Sequence, residues 1–170
     1  ELTAVLAAVA GTASAAPQTR LVISGDFHTT SARALVAHEE SCGFKTKARV
    51  LVYTSDAMRI GRGPAVARVE FLIPRYRGRG RYDARMPAPY SRTAVQVVTA
   101  RDAATGVAGG FYIATAGNVT VVQSKDVGRL RHSASVGGTV HAKLRLRRGS
   151  KRLRLDGAWH CRIDPSSNGG

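Results

Sequence analysis

Two runs of basic residues are the strongest chemical signal in this sequence. Lys or Arg recurs largely at alternate positions in each run, first at Arg75, Arg77, Arg79 and Arg81, then at Lys143, Arg145, Arg147, Arg152 and Arg154. Residues two apart share one face of a strand. Each run therefore concentrates cations that suit the phosphate, sulfate or carboxylate groups of a polyanion.

The overall charge agrees with this interpretation and leaves one alternative open. The 170 residues include 26 Lys and Arg against 11 Asp and Glu, a formal net charge of +15. We expect an anionic envelope polymer, lipid headgroups or extracellular nucleic acid as partners. GC-rich coding bias also raises arginine content, however, and net charge alone favours solubility. In that alternative the protein is a structural or partner-binding surface domain, which an exposed patch around Tyr76, Tyr82 and Tyr90 would favour.

Catalytic chemistry has weaker support. Ser24, Asp26 and His28 share one face of an extended strand and have the residue types of a hydrolase triad. Neighbours on such a face lie ~7 Å apart, too far for a nucleophile and base to share a hydrogen bond. The five histidines form no short-spaced ligand pair, and adjacent His160 and Cys161 point to opposite strand faces. The sequence predicts no enzyme, no metal site and no cofactor.

The elements that must position these residues are strands. Apolar and polar residues alternate with a two-residue period, and Gly-rich segments separate the runs. Strands are predicted over 21–24, 48–54, 67–73, 94–100, 110–115, 119–124, 138–147 and 151–161. The pattern predicts a mainly β fold, an antiparallel β-sandwich or partly open barrel with at most one short helix. That helix would lie in 29–43, capped by Thr30 or Ser31 and ended by Gly43, with a loop as the alternative.

A two-residue turn at Gly149 and Ser150 predicts the register of the last hairpin. It places Leu144 opposite Leu155, Val140 opposite Trp159 and Arg145 opposite Arg154. The leucines, Trp159 and Cys161 then share a buried face, while the basic residues share an exposed one. Opposed like charges cost roughly 0.2–1 kcal/mol per pair, less than the ~1.5–3 kcal/mol gained per buried large apolar side chain. We expect this hairpin at or near a sheet edge, where Lys and Arg discourage further strand pairing.

The first residues are typical of a secretory signal peptide. Residues 1–16 run through an apolar stretch to a small-residue cleavage site at Ala13-Ser14-Ala15. The stretch is shorter than the ~20 residues that span a bilayer, so the mature chain is expected to have no transmembrane segment. We interpret 1–16 as a truncated signal peptide, 17–164 as one β-sandwich domain and 165–170 as a disordered tail. The expected localisation is secreted, or exposed at the cell envelope.

The two cysteines agree with export. Cys42 and Cys161 belong to no Cys-x-x-C motif, and a disulfide is the expected state of such a pair in an oxidising compartment. The alternative is two separate buried thiols.

A segment in the middle of the chain carries a family resemblance. The pattern Tyr76-x-Gly78-x-Gly80-x-Tyr82 precedes the basic hairpin and a closing Gly157-x-Trp159-x-Cys161. This order resembles small bacterial secreted proteins and lipoproteins, the mycobacterial lipoprotein antigens among them, and it implies an envelope-exposed β-sandwich of undefined activity. The chain departs from them in having Arg79 where proline is frequent and in lacking a lipobox cysteine. The missing cysteine favours a soluble secreted product over a lipoprotein. The two tyrosines favour a turn pinned by aromatic side chains over a ligand groove.

Overall fold

The strands of this protein form one antiparallel, curled sheet. The computed structural model describes residues 18–35, 40–45, 47–88, 92–105, 108–124 and 134–163. Within these ranges the sheet curls into a half-barrel, which confirms the predicted mainly β fold class. The expected signal peptide at 1–16 and the expected tail at 165–170 lie outside the described residues.

Eleven strands and one short 3-10 helix are seen in the described ranges. The strands are β1 Arg20–Gly25, β2 Thr29–Thr30, β3 Ser41–Lys45, β4 Val50–Thr54, β5 Met58–Arg59, β6 Val66–Ile73, β7 Gly80–Asp83, β8 Val95–Ala100, β9 Ala108–Ser124, β10 Ala134–Leu146 and β11 Arg152–Ile163. Their order in the sheet is β2-β1-β11-β10-β9-β8-β6-β4-β3, with β5 beside β6 and β7 beside β9. The long strands β9, β10 and β11 therefore form its centre.

The alternation of apolar residues places the core inside the curl. Along β10 and β11, Leu144, Leu153 and Leu155 are buried, and the residues that alternate with them, Lys143, Arg145, Arg152 and Arg154, are exposed. Trp159 packs against Tyr53 of β4 and Phe71 of β6, with ring centroids 5.3 and 5.4 Å away. These aromatic contacts cross the interior and join opposite walls of the half-barrel.

A disulfide joins one edge of the curled sheet to a strand of its centre. Cys42 of the edge strand β3 is bonded to Cys161 of β11, with Cα atoms 6.2 Å apart and 119 residues between them in sequence. This confirms the predicted bond. Loop-closure entropy for a ring of that length corresponds to about 4–5 kcal/mol. Thr19 adds a polar link beside it, because its hydroxyl donates to Glu40 at 2.6 Å and accepts from the His160 amide at 3.0 Å.

The predicted helix over 29–43 is wrong at both of its described ends. Ser31–Arg33 form only one 3-10 turn, and Thr30 makes no side-chain cap. The Ser31 hydroxyl instead accepts from the Leu21 amide and donates to the Thr19 carbonyl, so it satisfies the edge of β1. Gly43 lies within β3, opposite Val52, because the disulfide holds this segment against β11. Residues 36–39 lie outside the described ranges.

The break between the predicted strands 110–115 and 119–124 is also absent, because β9 continues through residues 116–118. Ala116 pairs with Lys143, and Asn118 pairs with His141. The strand changes register nearby, and Gly117 adopts a φ of +114° there. A β-bulge of this kind bends a strand without ending it, so glycine marks a bend here and the two predicted strands are one.

The hairpin register differs from the predicted one by two residues. Leu144 faces Leu153, and Gly138, not Val140, faces Trp159. The loop is longer than predicted, since the Leu146 amide donates to the Lys151 carbonyl and leaves four residues, 147–150, between them. A shift of two residues keeps every side chain on its predicted face, and the smallest residue is placed opposite the largest.

The expected position at the sheet edge is wrong as well. β10 pairs with β9 along most of its length, and β11 pairs with β1. The basic residues of this hairpin therefore lie on the outer face of the centre of the sheet, where discouraging edge pairing cannot be their role.

Candidate functional site

Four of the predicted polyanion-binding residues line one groove on the outer face of the β10–β11 hairpin. The groove has a volume of about 500 Å³. Its lining comprises Ser24, Gly25, Thr115, Lys143, Leu144, Arg145, Arg152, Leu153 and Arg154. Because the side chains of Leu144 and Leu153 are buried on the opposite face, those two positions offer backbone to the groove. The other positions supply four cations, the hydroxyls of Ser24 and Thr115, and Gly25.

The cations face one another in register. Lys143 pairs with Arg154, and Arg145 pairs with Arg152. Opposed residues in an antiparallel pair have Cβ atoms about 4.5–5.5 Å apart. All four side chains are exposed, and among the described residues no carboxylate forms an ion pair with Lys143, Arg145 or Arg152. Three of the four cations of the groove therefore have no acidic partner within the described ranges.

Arg154 is the one cation of the groove that has an acidic partner. Its Nε donates to the Asp156 carboxylate at 2.5 Å, and His141 Nδ1 lies 2.9 Å from the other carboxylate oxygen. Partial burial acts to raise the pKa of Asp156, but the hydrogen bonds from Arg154 and His141 outweigh it and lower that pKa. The ionised Asp156 thus orients Arg154 along the face of the sheet.

The end of β1 closes one side of the groove. After Gly25 the chain turns. The Asp26 carboxylate accepts a hydrogen bond from the Tyr112 hydroxyl at 2.8 Å and forms an ion pair with Lys151 at 3.3 Å. Burial and this hydrogen bond raise the pKa of Tyr112 to about 12. The interaction holds the β1–β2 turn against the hairpin tip.

The same turn separates the residues of the hydrolase hypothesis. Ser24 lines the groove, but β1 ends at Gly25, so Asp26 and His28 do not continue its face. The Asp26 carboxylate is held by Tyr112 and Lys151. The shared strand face assumed for these three residues is therefore wrong.

The Tyr-Gly-Gly-Tyr segment is a pinned turn. The rings of Tyr76 and Tyr82 stack with centroids 5.8 Å apart. The Tyr82 hydroxyl accepts from the Arg77 amide at 3.0 Å and donates to the Gly78 carbonyl at 2.8 Å. Gly78 has a φ of +92°, in the region that favours glycine. This confirms the structural interpretation of the motif.

The stacking of Tyr76 on Tyr82 limits the aromatic patch expected around Tyr76, Tyr82 and Tyr90. Tyr76 is buried and Tyr82 is half-buried against it, while Tyr90 lies outside the described residues. The two described tyrosines pack against each other, which leaves only part of Tyr82 open to a partner.

The first basic run does not join the groove. Arg75, Arg77, Arg79 and Arg81 are exposed on the turn before β7 and at its start. Arg81 pairs with Thr120 of β9. The next row of residues toward the groove contains Asp83, Asn118, His141 and Asp156. Two acids thus lie between the two basic runs, which occupy separate parts of the surface.

Arg147 belongs to a second, adjoining groove. It has a volume of about 440 Å³ and is lined by Gly109, Gly110, Phe111, Leu146, Arg147 and Arg148. Sequence reasoning missed Phe111, which is 40% exposed. It belongs to the apolar segment 111–114, where alternation is lost and no pattern indicates which side chain faces outward. The only available signal was its position directly after two glycines.

The described ranges contain neither a candidate metal site nor a candidate membrane-spanning helix. No cluster of three or more His, Cys, Asp or Glu there has the geometry to hold a metal ion. No helix in that part of the chain has the length and apolarity needed to span a membrane.

Comparison with known proteins gave no match to a family model, a curated protein or a solved structure. The resemblance to envelope lipoprotein antigens thus stays a prediction.

Proposed function

We propose that this protein is a secreted or cell-envelope, non-enzymatic β protein that binds polyanions through the β10–β11 groove. One observation carries the proposal: Lys143, Arg145, Arg152 and Arg154 form two directly opposed pairs in one groove. Like charges in such positions are destabilising, and their side chains make no contribution to the core. Binding an anion between them would remove the repulsion.

A hydroxyl of the groove suits the same ligand. Ser24 lies beside the cations, and a neutral donor next to Arg and Lys completes the coordination of phosphate or sulfate oxygens. The Thr115 hydroxyl already donates to the Lys143 carbonyl at 3.1 Å. The Arg guanidinium groups add planar, two-pronged donors. A phosphate- or sulfate-bearing polymer is therefore favoured over isolated carboxylates.

Export is supported by the covalent chemistry of the chain. The Cys42–Cys161 bond is of a kind that persists in oxidising compartments and is rare in the cytosol. An envelope polymer or another extracellular polyanion then fits as the partner. The suggested relationship to bacterial envelope proteins is part of this proposal.

Heparin affinity chromatography tests the proposal with two variants of equal charge. The groove variant replaces Lys143, Arg145, Arg152 and Arg154 with Gln. The control variant replaces Lys47, Arg59, Arg62 and Arg92 with Gln, which are exposed and do not line the groove. Each loses one Lys and three Arg, so non-specific attraction falls equally.

We expect the groove variant to elute at clearly lower salt than the control variant. For the groove variant, log Kd should also change less steeply with log salt, because fewer counterions are released on binding. Equal elution of the two variants would contradict the proposal, since it would mean that net charge alone governs retention. Thermal melts of both variants verify that the fold is retained.

A further inference from the structure

We propose that the polyanion is a single-stranded nucleic acid, and that Phe111 stacks on one of its bases while the hairpin cations contact its phosphates. This inference rests on the proposed function and specifies the ligand of the same surface. It starts from the position of Phe111, which none of the basic-residue arguments uses.

Phe111 lies directly beside the basic groove on the same outer face of the sheet. Ile113, two residues along β9, pairs with Arg145, and the Phe111 carbonyl accepts from the Arg147 amide at 2.8 Å. Arg145 in turn faces Arg152. From strand spacings, the Cα atoms of Phe111 and Arg152 are ~12 Å apart. A single strand that contacts a protein over ~4–16 nucleotides is long enough to reach both residues.

The ring is accessible because its neighbours leave it open. Phe111 is 40% exposed and lines a groove of about 440 Å³ with Arg147 and Arg148. Gly109 and Gly110 precede it and add no side chain over the ring. A Cβ at Gly110 would lie 3.0 Å from Leu146 Cδ1, so the glycine also lets Leu146 pack beneath this groove.

An aromatic platform beside a basic track is the arrangement that single-stranded nucleic acids recognise. Bases stack on the ring without regard to sequence, while Lys and Arg follow the backbone. Arg147 and Arg148 add guanidinium planes that can also stack on bases. A sulfated glycan or a teichoic-acid-like polymer uses the cations but has no aromatic face for Phe111.

The shape of the site argues against a lipid surface as the partner. Membrane-bound apolar residues must reach several ångströms into the headgroup region. Phe111 instead lies within a groove flanked by Arg147 and Arg148, where a flat base can enter and a bilayer cannot follow. Anionic vesicles are therefore a test of the inference and not its expected ligand.

Fluorescence anisotropy with a labelled oligothymidine of about 12 nucleotides tests the inference. The variants are Phe111→Ala, the conservative Phe111→Tyr, and the control Val122→Ala, which removes a 53% exposed apolar side chain from the same strand. Competitors are the corresponding DNA duplex, heparin, and phosphatidylcholine vesicles containing phosphatidylglycerol. Thermal melts confirm that each variant is folded.

Phe111→Ala should weaken binding of the single strand by about 5- to 150-fold, the range for loss of one stacked base. Phe111→Tyr and Val122→Ala should bind as the unmodified protein does. Heparin affinity should be insensitive to Phe111→Ala, because heparin has no base. Competition by the duplex should be equally insensitive to this change, because its bases are already stacked.

Three results would overturn the inference in distinguishable ways. If the groove variant loses oligothymidine and heparin affinity while Phe111→Ala retains both, the proposed function stands and the choice of nucleic acid fails. A second outcome is that the unmodified protein binds the vesicles but not oligothymidine, and that Phe111→Ala loses the vesicle binding. This would refute nucleic acid as the ligand and indicate a membrane surface. If the unmodified protein binds oligothymidine, heparin and the vesicles no more tightly than the groove variant does, both proposals fail.

Discussion

Replacing Trp159 with alanine would test the packing of the hairpin across the half-barrel. The indole is 2% exposed and contacts Tyr53 and Phe71, which belong to strands far from β11 in sheet order. Its loss would therefore remove the aromatic contacts that join the two walls. It would leave the outer, basic face unchanged.

The size of the effect depends on two opposing terms. Truncating a buried Trp or Phe to Ala typically costs about 3–5 kcal/mol. Trp159 Nε1 is buried, however, without a hydrogen-bond partner in the described part of the chain, and an unsatisfied donor costs about 1–3 kcal/mol. Because removal of the indole relieves this second term, we expect a loss near the lower end, about 3 kcal/mol. Trp159→Phe keeps a ring and removes the N–H, so it should lose about 1.5 kcal/mol or less.

Urea denaturation followed by far-UV circular dichroism measures these changes. The midpoint should fall for Trp159→Ala with an unchanged m-value, and the melting temperature should fall by about 6–12 °C, at about 2–4 °C per kcal/mol for a chain of this size. Val122→Ala, at an exposed position, serves as the control and should be nearly neutral. An unchanged midpoint for Trp159→Ala would refute the interior packing, and equal losses for Trp159→Ala and Trp159→Phe would refute the role of the ring contacts.

Two further predictions concern the bend in β9 and the turn beside the groove. Gly117→Ala should destabilise the protein by more than about 2 kcal/mol, because a Cβ at this φ of +114° would lie 2.0 Å from the His141 carbonyl oxygen. The control Gly43→Ala, with open space around it, should be neutral. Equal urea midpoints for the two variants would exclude strain at Gly117. The raised pKa of Tyr112, about 12, should stabilise the fold fully below the unfolded pKa near 10 and lose that contribution as pH rises from about 10 to 12. Tyr112→Phe should therefore show a weaker fall in stability across this window, and parallel pH curves for the two proteins would contradict the assignment.

The faces of the hairpin could be predicted from sequence, but its register could not. The alternation of Leu with Lys and Arg specifies which side chains point inward. A shift of two residues preserves that alternation, so pattern alone cannot distinguish Leu144 facing Leu155 from Leu144 facing Leu153. The deciding terms are the length of the loop and the fit of Trp159 opposite Gly138, and both depend on packing in three dimensions.

The candidate site shows the same division. The cations of the groove are local and periodic, and the sequence identified them. Phe111 and the separation of the two arginine runs depend on which strands become neighbours. β7 pairs with β9 through four residues, and this pairing inserts a row containing Asp83 and Asp156 between the runs. No spacing along the chain encodes such a contact.

The disulfide has a consequence for how this protein tolerates proteases. It joins Cys42 to Cys161, so most of the loops, including exposed Arg62 and Arg101, lie within the covalent ring. A trypsin-like enzyme that cuts the backbone once at either residue leaves two pieces still joined through sulfur, and the β strands on both sides of the cut still pair. Nicked protein would therefore migrate as an intact chain on a non-reducing gel and separate into fragments only after reduction.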